Sequence, residues 1–237
     1  MNEVILKADH IYKEFGATKA VTDVSIELCA GEVMGLIGEN GSGKSTLSNM
    51  IGGVFPPTQG KLFLHGQPYA PTSPLDAKRH GIDILAQEEG SISGITVAEN
   101  VFLGEEGKLS KLGFVNMKKI VAQTRRILDE NGLREVDPLA MAYEYSFETR
   151  KMIEVARAVA ADPGILIVDE TTTALSQKGR ERIYEIIKER KAKGRSVVFI
   201  SHDLDEVMSV CDKVTILRDG HYIATLTKES TSRKCAA

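Results

Sequence analysis

Long apolar runs are missing from this sequence of 237 residues. The longest, such as residues 165–168 and 197–200, fall far short of the about 18–20 residues that a membrane-spanning helix needs. The first residues mix Glu3, Lys7 and Asp9 with apolar residues and lack the continuous apolar core of a secretory signal peptide. We therefore expect a cytoplasmic chain without a membrane span of its own.

Cysteine is also scarce, and charge of one sign is not in excess. Cys29, Cys211 and Cys235 show neither the spacing of metal ligands nor that of a disulfide framework, so we expect reduced thiols. The chain has 30 Lys and Arg against 33 Asp and Glu, a net charge of −3. This balance does not indicate nucleic acid as a partner, although a local basic patch stays open.

Strand and helix patterns alternate along much of the chain. Short apolar or alternating segments predict strands, and apolar residues at helical spacing predict helices. Such alternation indicates the α/β class, with a largely parallel sheet covered on both faces. The predicted strands are 4–8, 24–28, Val33–Ile37, 61–64, Ile82–Leu85, 165–168, 197–200 and 214–217. The predicted helices follow residue 45, open at Ser73-Pro74, and cover 117–128, 180–193 and 204–211.

The middle of the chain has a different pattern. From about residue 88 to residue 155 no strand pattern is clear, and one amphipathic helix begins at Met117. We interpret this stretch as a mainly helical insert. The predicted organisation is one domain of residues 1–229, with a core of 1–87 and 156–229, an insert of 88–155, and a frayed tail of 230–237.

A glycine-rich loop between a predicted strand and a predicted helix carries the strongest motif. It fits the phosphate-binding pattern G-x-x-x-x-G-K-[S/T], in which glycines let backbone N–H groups surround phosphate oxygens. We expect Lys44 to reach the β- and γ-phosphates of ATP and the Ser45 hydroxyl to bind Mg²⁺. The predicted ATP contacts are Gly38, Glu39, Asn40, Gly41, Ser42, Gly43, Lys44, Ser45 and Thr46.

Two acids end the predicted strand 165–168. Catalytic groups of open α/β sheets gather at the carboxyl ends of strands, so Asp169 and Glu170 are placed near the phosphate loop. We predict that Asp169 holds Mg²⁺ through water and that Glu170 polarises the attacking water. Without the loop, the same acids would fit an ordinary strand end equally well.

Residues 4–227 resemble the nucleotide-binding subunit of an ABC transporter. The segment 11–16, IYKEFG, resembles the family's adenine-stacking segment, with Phe15 as the stacking ring or, alternatively, as a core aromatic. Gln87, followed by residues 96–104 (TVAENVFLG), resembles the Q-loop glutamine, a ligand of Mg²⁺ and water. His202, in Ser201-His202-Asp203, resembles the switch histidine that contacts the γ-phosphate.

The resemblance implies a P-loop NTPase core, an N-terminal antiparallel β subdomain and an inserted helical subdomain. It further implies hydrolysis of ATP, a second ABC cassette, integral-membrane permease subunits, an indirectly linked solute-binding protein and a peripheral position on the inner face of the cell membrane. Three features most resemble the first cassette of monosaccharide importers of the ribose, galactose and xylose type: the loop opening Gly38-Glu39-Asn40, the run 97–104 and the turn 217–220. Those subunits usually carry two cassettes, so a fragment and a stand-alone half both stay open.

Two segments depart from the family pattern. The signature L-S-G-G-Q corresponds to residues 145–149, YSFET, which keeps Ser146 but replaces both glycines with Phe147 and Glu148. The pattern P-T-S-A-L-D corresponds to residues 171–176, TTTALS, so that Ser176 replaces an acid and either weakens communication across a dimer or caps the next helix. This degenerate signature predicts an asymmetric dimer in a sugar importer.

Two other functions stay open. One is a soluble ABC protein that acts on ribosomes or DNA; such proteins usually add basic segments, coiled coils or linked cassettes, none of which is visible. The other is a cassette that binds nucleotide with little or no hydrolysis.

Overall fold

The computed structural model describes residues 3–87, 90–104, 110–111 and 114–227. The predicted tail, 230–237, lies outside these residues. The strands are β1 Val4–Phe15, β2 Thr18–Cys29, β3 Val33–Ile37, β4 Gln59–Leu64, β5 Gln67–Tyr69, β6 Ile82–Leu85, β7 Ser110–Lys111, β8 Phe114–Val115, β9 Ile165–Asp169, β10 Ser196–Ile200, β11 Lys213–Arg218 and β12 His221–Thr227. The α-helices are α1 Lys44–Ile51, α2 Pro74–Arg79, α3 Val97–Val101, α4 Met117–Glu130, α5 Phe147–Ala160, α6 Gln177–Ala192 and α7 Leu204–Val210.

A six-stranded sheet forms the centre of the described fold, in the order β12, β11, β3, β10, β9, β6. Its strands run parallel except β12, which pairs antiparallel with β11. The carboxyl ends of β3, β6, β9 and β10 therefore meet at one edge of the sheet, where the predicted site residues follow them. The predicted α/β class with a largely parallel sheet is confirmed.

Both faces of this sheet are covered, which explains the continuous apolar runs of its strands. Ile165 and Ile167 of β9 belong to an apolar cluster that includes Leu47 of α1. Leu166 and Val168 point the other way and belong to the cluster that includes residues of α5, α6 and α7. Alternate side chains of one strand thus pack against helices on opposite sides.

A second, antiparallel sheet has the order β2, β1, β4, β5 and packs on the α1 side of the molecule. The predicted N-terminal antiparallel part is confirmed, but the strands predicted at 4–8 and 24–28 are too short, because β1 and β2 have 12 residues each. Register shifts interrupt their pairing, and His10 and Asp23 have φ of 48° and 54°. Such irregularities break the apolar alternation on which the prediction depended.

Helices α3 and α4 and the first part of α5 lie in the described part of the middle region. The expected absence of strands there is wrong for β7 and β8, whose two-residue ladder is too short for alternation to show. Helix α5 crosses residue 155 without a break, and the extent of the insert stays a prediction. Across the described ranges, no helix is both long and apolar enough to cross a membrane.

Candidate functional site

The phosphate loop lies between the carboxyl end of β3 and the first turn of α1. Gly43, directly before α1, has a left-handed φ of 97°, and a Cβ there would lie 2.7 Å from the backbone oxygen of Ala20. A Cβ on Gly38 would lie 2.2 Å from the backbone oxygen of Leu217. Both positions exclude a side chain, which explains the two glycines that define the motif. Backbone groups rather than side chains therefore line these parts of the loop at the N-terminus of α1.

The Lys44 ammonium lies inside the loop to which it belongs. Its Nζ donates to the backbone oxygens of Gly38 at 2.8 Å and of Glu39 at 3.0 Å, and it lies 3.8 Å from Oε1 of Glu170. The Lys44 side chain is only 4% exposed. The fold thus brings together two of the predicted catalytic residues, Lys44 and Glu170, which the sequence separates by the whole middle region.

Asp169, the last residue of β9, receives two hydroxyl groups from α1. The Ser45 hydroxyl donates to its Oδ1 at 3.3 Å, and the Ser48 hydroxyl donates to its Oδ2 at 3.2 Å. Burial raises the pKa of the Asp169 carboxyl, against the effect of these two hydrogen bonds. Sequence reasoning missed Ser48, although its position one helical turn after Ser45 was a usable signal.

The groups around Asp169 fit a magnesium ion. Mg²⁺ prefers hard oxygen ligands and is usually bound by one or two protein groups together with phosphates and water. The Ser45 hydroxyl and the Asp169 carboxylate supply such oxygens side by side. Gln87 is exposed and follows β6, the strand next to β9, so it leaves the same edge of the sheet. No cluster of three or more His, Cys, Asp or Glu that could bind a metal occurs among the described residues.

Glu170 follows Asp169 in a strained backbone conformation. Its φ is 43°, in the left-handed region that costs a non-glycine residue of order 1–3 kcal/mol. The strain is held by neighbours, because the Glu170 N–H donates to the backbone oxygen of Ile200 at 3.0 Å and the Thr173 hydroxyl donates to the Glu170 backbone oxygen at 2.8 Å. Strain of this kind clusters at functional sites, which fits the catalytic role predicted for Glu170.

His202 leaves the neighbouring strand at the same edge. Ile200 of β10 is the register partner of Asp169 in β9, so the residues that follow the two strands are neighbours. His202 is exposed and lines a cleft of about 180 Å³ together with Thr172 and Thr173 of the turn after Glu170. The fold therefore places the predicted switch histidine beside the predicted catalytic segment.

Glu206 connects these two segments, and sequence reasoning missed it. Its carboxylate accepts hydrogen bonds from the Ser201 hydroxyl at 2.7 Å, the Thr172 hydroxyl at 3.0 Å and the Tyr184 hydroxyl at 2.5 Å. From the sequence alone, Glu206 is only an acid in the first turn of α7, where its negative charge interacts favourably with the helix dipole. The structure shows one half-buried carboxylate that joins the turn after Glu170 to the segment of His202.

Phe15 ends β1 at the surface. Its side chain is 47% exposed, which overturns the alternative that it is a core aromatic. Its ring meets the Phe55 ring edge-on, with 5.2 Å between centroids, and Nζ of Lys13 lies 5.1 Å from the Phe15 centroid. The ring is therefore partly accessible, as stacking on adenine requires; that role stays a prediction.

The segment predicted to be a degenerate signature, residues 145–149, leads into α5. Ser146 is its N-cap and accepts a hydrogen bond from the Thr149 N–H at 3.2 Å, while Phe147 is 39% exposed. The Glu148 carboxylate turns to α6, where it contacts Ser176. Of the two interpretations of Ser176, the helix cap is confirmed, because its hydroxyl accepts from an N–H in the first turn of α6.

The chain is similar to ATP-binding proteins of sugar importers. It is 37% identical over 98% of its length to a putative ribose/galactose/methyl galactoside import ATP-binding protein of Agrobacterium fabrum. It is 38% identical over 95% of its length to an arabinose import ATP-binding protein of Chromohalobacter salexigens. Each match covers 45% of the relative, so the chain spans about half the length of the curated relatives it matches.

The fold is similar to that of solved ATP-binding cassettes. A crystal structure of a nucleotide-free ATP-binding cassette from an ABC transporter matches with a TM-score of 0.84 and 27% identity, over 99% of this chain and 96% of that chain. The sequence profile of the ABC transporter family matches residues 21–173, which include the loop, the signature segment and both strand-end acids. Motif order, fold and profile agree, and the chain belongs to the ABC transporter family.

Proposed function

We propose that this chain binds ATP with Mg²⁺, hydrolyses it to ADP and phosphate, and thereby energises an importer. The observation that carries this proposal is the meeting of the phosphate loop with the two acids at the end of β9, Asp169 and Glu170. Lys44 lies 3.8 Å from Glu170, and Ser45 donates to Asp169 at 3.3 Å. A cation, a hydroxyl and two carboxylates thus surround the place where the γ-phosphate and its water would react.

Each residue has a distinct task in this mechanism. Ser45, Asp169 and Gln87 would hold Mg²⁺, which supplies positive charge to the phosphates when bound. Lys44 and the loop N–H groups bind the phosphates, and Phe15 stacks on the adenine. Glu170 orients and polarises the attacking water, and His202 contacts the γ-phosphate. Most of the rate then comes from positioning and charge stabilisation.

The transported compound is proposed to be a monosaccharide. The curated relatives are named for the import of ribose, galactose and arabinose, and this chain matches about half of each. We propose that the domain, residues 1–229 with a helical insert at 88–155, passes the ATP-driven motion to integral-membrane permease subunits. A second cassette completes the unit, and a solute-binding protein on the other side delivers the sugar. The chain would then lie on the inner face of the cell membrane.

The signature segment supports asymmetry between the two cassettes. Phe147 and Glu148 stand where glycines would allow close approach to a nucleotide on the opposite cassette, and Phe147 is 39% exposed at the start of α5. This chain would therefore complete the opposite site poorly, while its own site works with a partner that has an intact signature. The same residues favour a second candidate function, a cassette that holds nucleotide with little hydrolysis.

Purified chain, alone and mixed with a cassette that carries an intact signature, tests the proposal. We expect Mg²⁺-dependent ATP binding and a turnover that rises with the intact partner. Glu170→Gln should lower turnover about 10²–10⁴-fold with ATP binding retained, and Lys44→Ala should abolish ATP binding. Lys188→Ala, at an exposed position of α6, is the control. Binding without turnover beside the partner would favour the nucleotide-holding function. Brisk, equal turnover by both sites of a homodimer would contradict the asymmetry.

Partner identity needs a separate experiment. Purification of the tagged chain from membranes and from ribosome fractions shows which it follows. We expect integral-membrane permease subunits to co-purify. Recovery with ribosomes alone would overturn the transport function while leaving ATP hydrolysis untouched.

A further inference from the structure

Two of the positions at which this chain departs from its family's pattern contact each other. Glu148 replaces the second glycine of the signature, and Ser176 replaces the acid that ends the segment after Glu170. Oε1 of Glu148 accepts hydrogen bonds from the Ser176 hydroxyl at 2.5 Å and from the Ser176 N–H at 3.2 Å. Glu148 lies in the first turn of α5 and Ser176 caps α6, so the contact joins the starts of two helices.

The N-terminus of α6 provides a favourable place for this carboxylate. A helix N-terminus carries a partial positive charge and stabilises an anion near its first turn. The first turn of α6 has no acidic residue of its own and contains Lys178 and Arg180. Glu148, from a different helix, therefore supplies the negative charge that the sequence of α6 lacks.

Gly179 provides the space for the contact. It is buried in the first turn of α6, and a Cβ there would lie 2.7 Å from Oε1 of Glu148. Its N–H also donates to the Ser176 hydroxyl at 3.3 Å. The hydroxyl thus accepts from α6 and donates to α5, and the absence of a side chain at residue 179 lets the carboxylate come close.

We propose that Glu148 and Ser176 form a bridge that keeps the Glu148 charge away from the nucleotide of an opposing cassette. The proposal rests on the proposed function, in which the start of α5 faces that nucleotide. Ser176 is then a positioning residue, because the Glu148 charge is compatible with an opposing phosphate only while the Ser176 hydroxyl donates to it. The same bridge holds the start of α5 against the segment that follows Glu170.

Unfolding of the whole chain tests whether the bridge exists. Glu148→Ala and Ser176→Ala should each lower Tm by about 2–4 °C. The double variant should lower Tm by clearly less than the sum of the two single decreases, because both substitutions remove the same contact. Glu181→Gln, which changes an exposed acid of α6, is the control and should leave Tm nearly unchanged. Strictly additive losses would overturn the bridge.

ATP-dependent association tests what the bridge does. In a Glu170→Gln background, which accumulates the ATP-bound state, Ser176→Ala should weaken association about five- to tenfold, because the released carboxylate opposes a phosphate. Glu148→Gln combined with Ser176→Ala should restore the association constant to within about twofold of that of the background. Ser176→Thr, which keeps the hydroxyl donor, should associate as strongly as the background. A purely structural cap predicts no rescue by Glu148→Gln, and that result would overturn the proposal. If the background itself fails to associate, the proposed two-cassette function fails, and the unfolding experiment alone decides the bridge.

Discussion

The Lys151 ammonium lies 3.0 Å from Oε2 of Glu154 and 3.1 Å from the backbone oxygen of Ala86. Both side chains are almost completely buried, with exposures of 1% for Lys151 and 5% for Glu154. Ala86 directly precedes Gln87, so the ion pair ties α5 to the segment that carries the predicted magnesium ligand. A charge pair in the interior thus fixes one end of the candidate site to α5.

Because this ion pair is buried, we expect a single substitution to lower the free energy of unfolding much more than the double substitution does. Lys151→Met should destabilise the fold by about 3–5 kcal/mol, because the Glu154 charge is left buried without its partner. Lys151→Met combined with Glu154→Leu should recover most of the loss, because neither charge of the pair then remains in the interior. Urea unfolding followed by circular dichroism measures both free energies. Equal losses for the single and double variants would contradict this account.

Asp169→Asn should make the fold more stable at neutral pH. Burial raises the pKa of this carboxyl above its ordinary value of about 3.9, so the ionised form is less favourable in the folded than in the unfolded chain. The stabilising effect of the protonated form is present below about pH 4 and is lost as pH rises through the raised pKa. The gain in unfolding free energy from Asp169→Asn should therefore appear at pH values above the raised pKa and vanish below about pH 4.

Unfolding of wild type and Asp169→Asn at several pH values measures this gain. Glu135→Gln, at an exposed position, should leave the pH profile unchanged. The same Asp169→Asn variant should lose Mg²⁺-dependent ATP binding, so stability and function would move in opposite directions. A gain that is independent of pH would rule out the carboxyl as its source.

Glu206→Ala should impair both stability and turnover. Three hydroxyl donors lose their acceptor, which should cost about 2–4 kcal/mol of unfolding free energy. Turnover should fall more than ATP affinity, because the segment of His202 and the turn after Glu170 are no longer joined. Steady-state kinetics and ATP titration separate the two effects.

Tyr184→Phe is the matched control for Glu206. Burial, followed by the hydrogen bond to Glu206, raises the pKa of Tyr184, so this hydroxyl stays protonated and donates throughout the neutral range. Its removal deletes one donor and should cost about 1 kcal/mol without a change in turnover. A loss of turnover as large as that of Glu206→Ala would place the effect in α6 packing instead.

Phe15→Ala should weaken ATP binding about 5- to 150-fold with little effect on stability. Stacking of a base on an aromatic ring contributes about 1–3 kcal/mol, whereas a side chain that is 47% exposed contributes little to the core. Phe15→Tyr should retain the affinity, and Leu139→Ala, at an exposed apolar position in the middle region, should not change it. Calorimetric titration with ATP checks all three, and an unchanged affinity for Phe15→Ala would remove the stacking role.

The central sheet was largely predictable, and the reason is burial on both faces. β3 and β6 coincide with their predicted bounds, and β9 extends the predicted 165–168 by one residue. Such strands are continuous apolar runs, which a sequence displays directly. β1 and β2 were predicted too short, because irregular pairing and left-handed backbone at His10 and Asp23 depend on neighbouring strands rather than on local composition.

The phosphate loop and the two acids after β9 were also visible, because their chemistry requires fixed residue types at fixed spacing. The polar residues that support the site were not visible in the sequence. Ser48 meets Asp169 across 121 positions of sequence, and Lys151 meets Ala86 across 65. Apart from the position of Ser48 one helical turn after Ser45, no local pattern marks such pairs, since a buried hydroxyl or ammonium is satisfied by whatever the fold brings beside it.

The bridge between Glu148 and Ser176 constrains the order in which the two positions can be changed. An aspartate introduced at position 176 while Glu148 is present would bring a second carboxylate to hydrogen-bond distance of the first, and two such charges repel strongly. A glycine introduced at position 148 first would leave Ser176 with its helix cap and expose only a hydroxyl to water. A change of both positions to glycine and an acid therefore has to begin at 148.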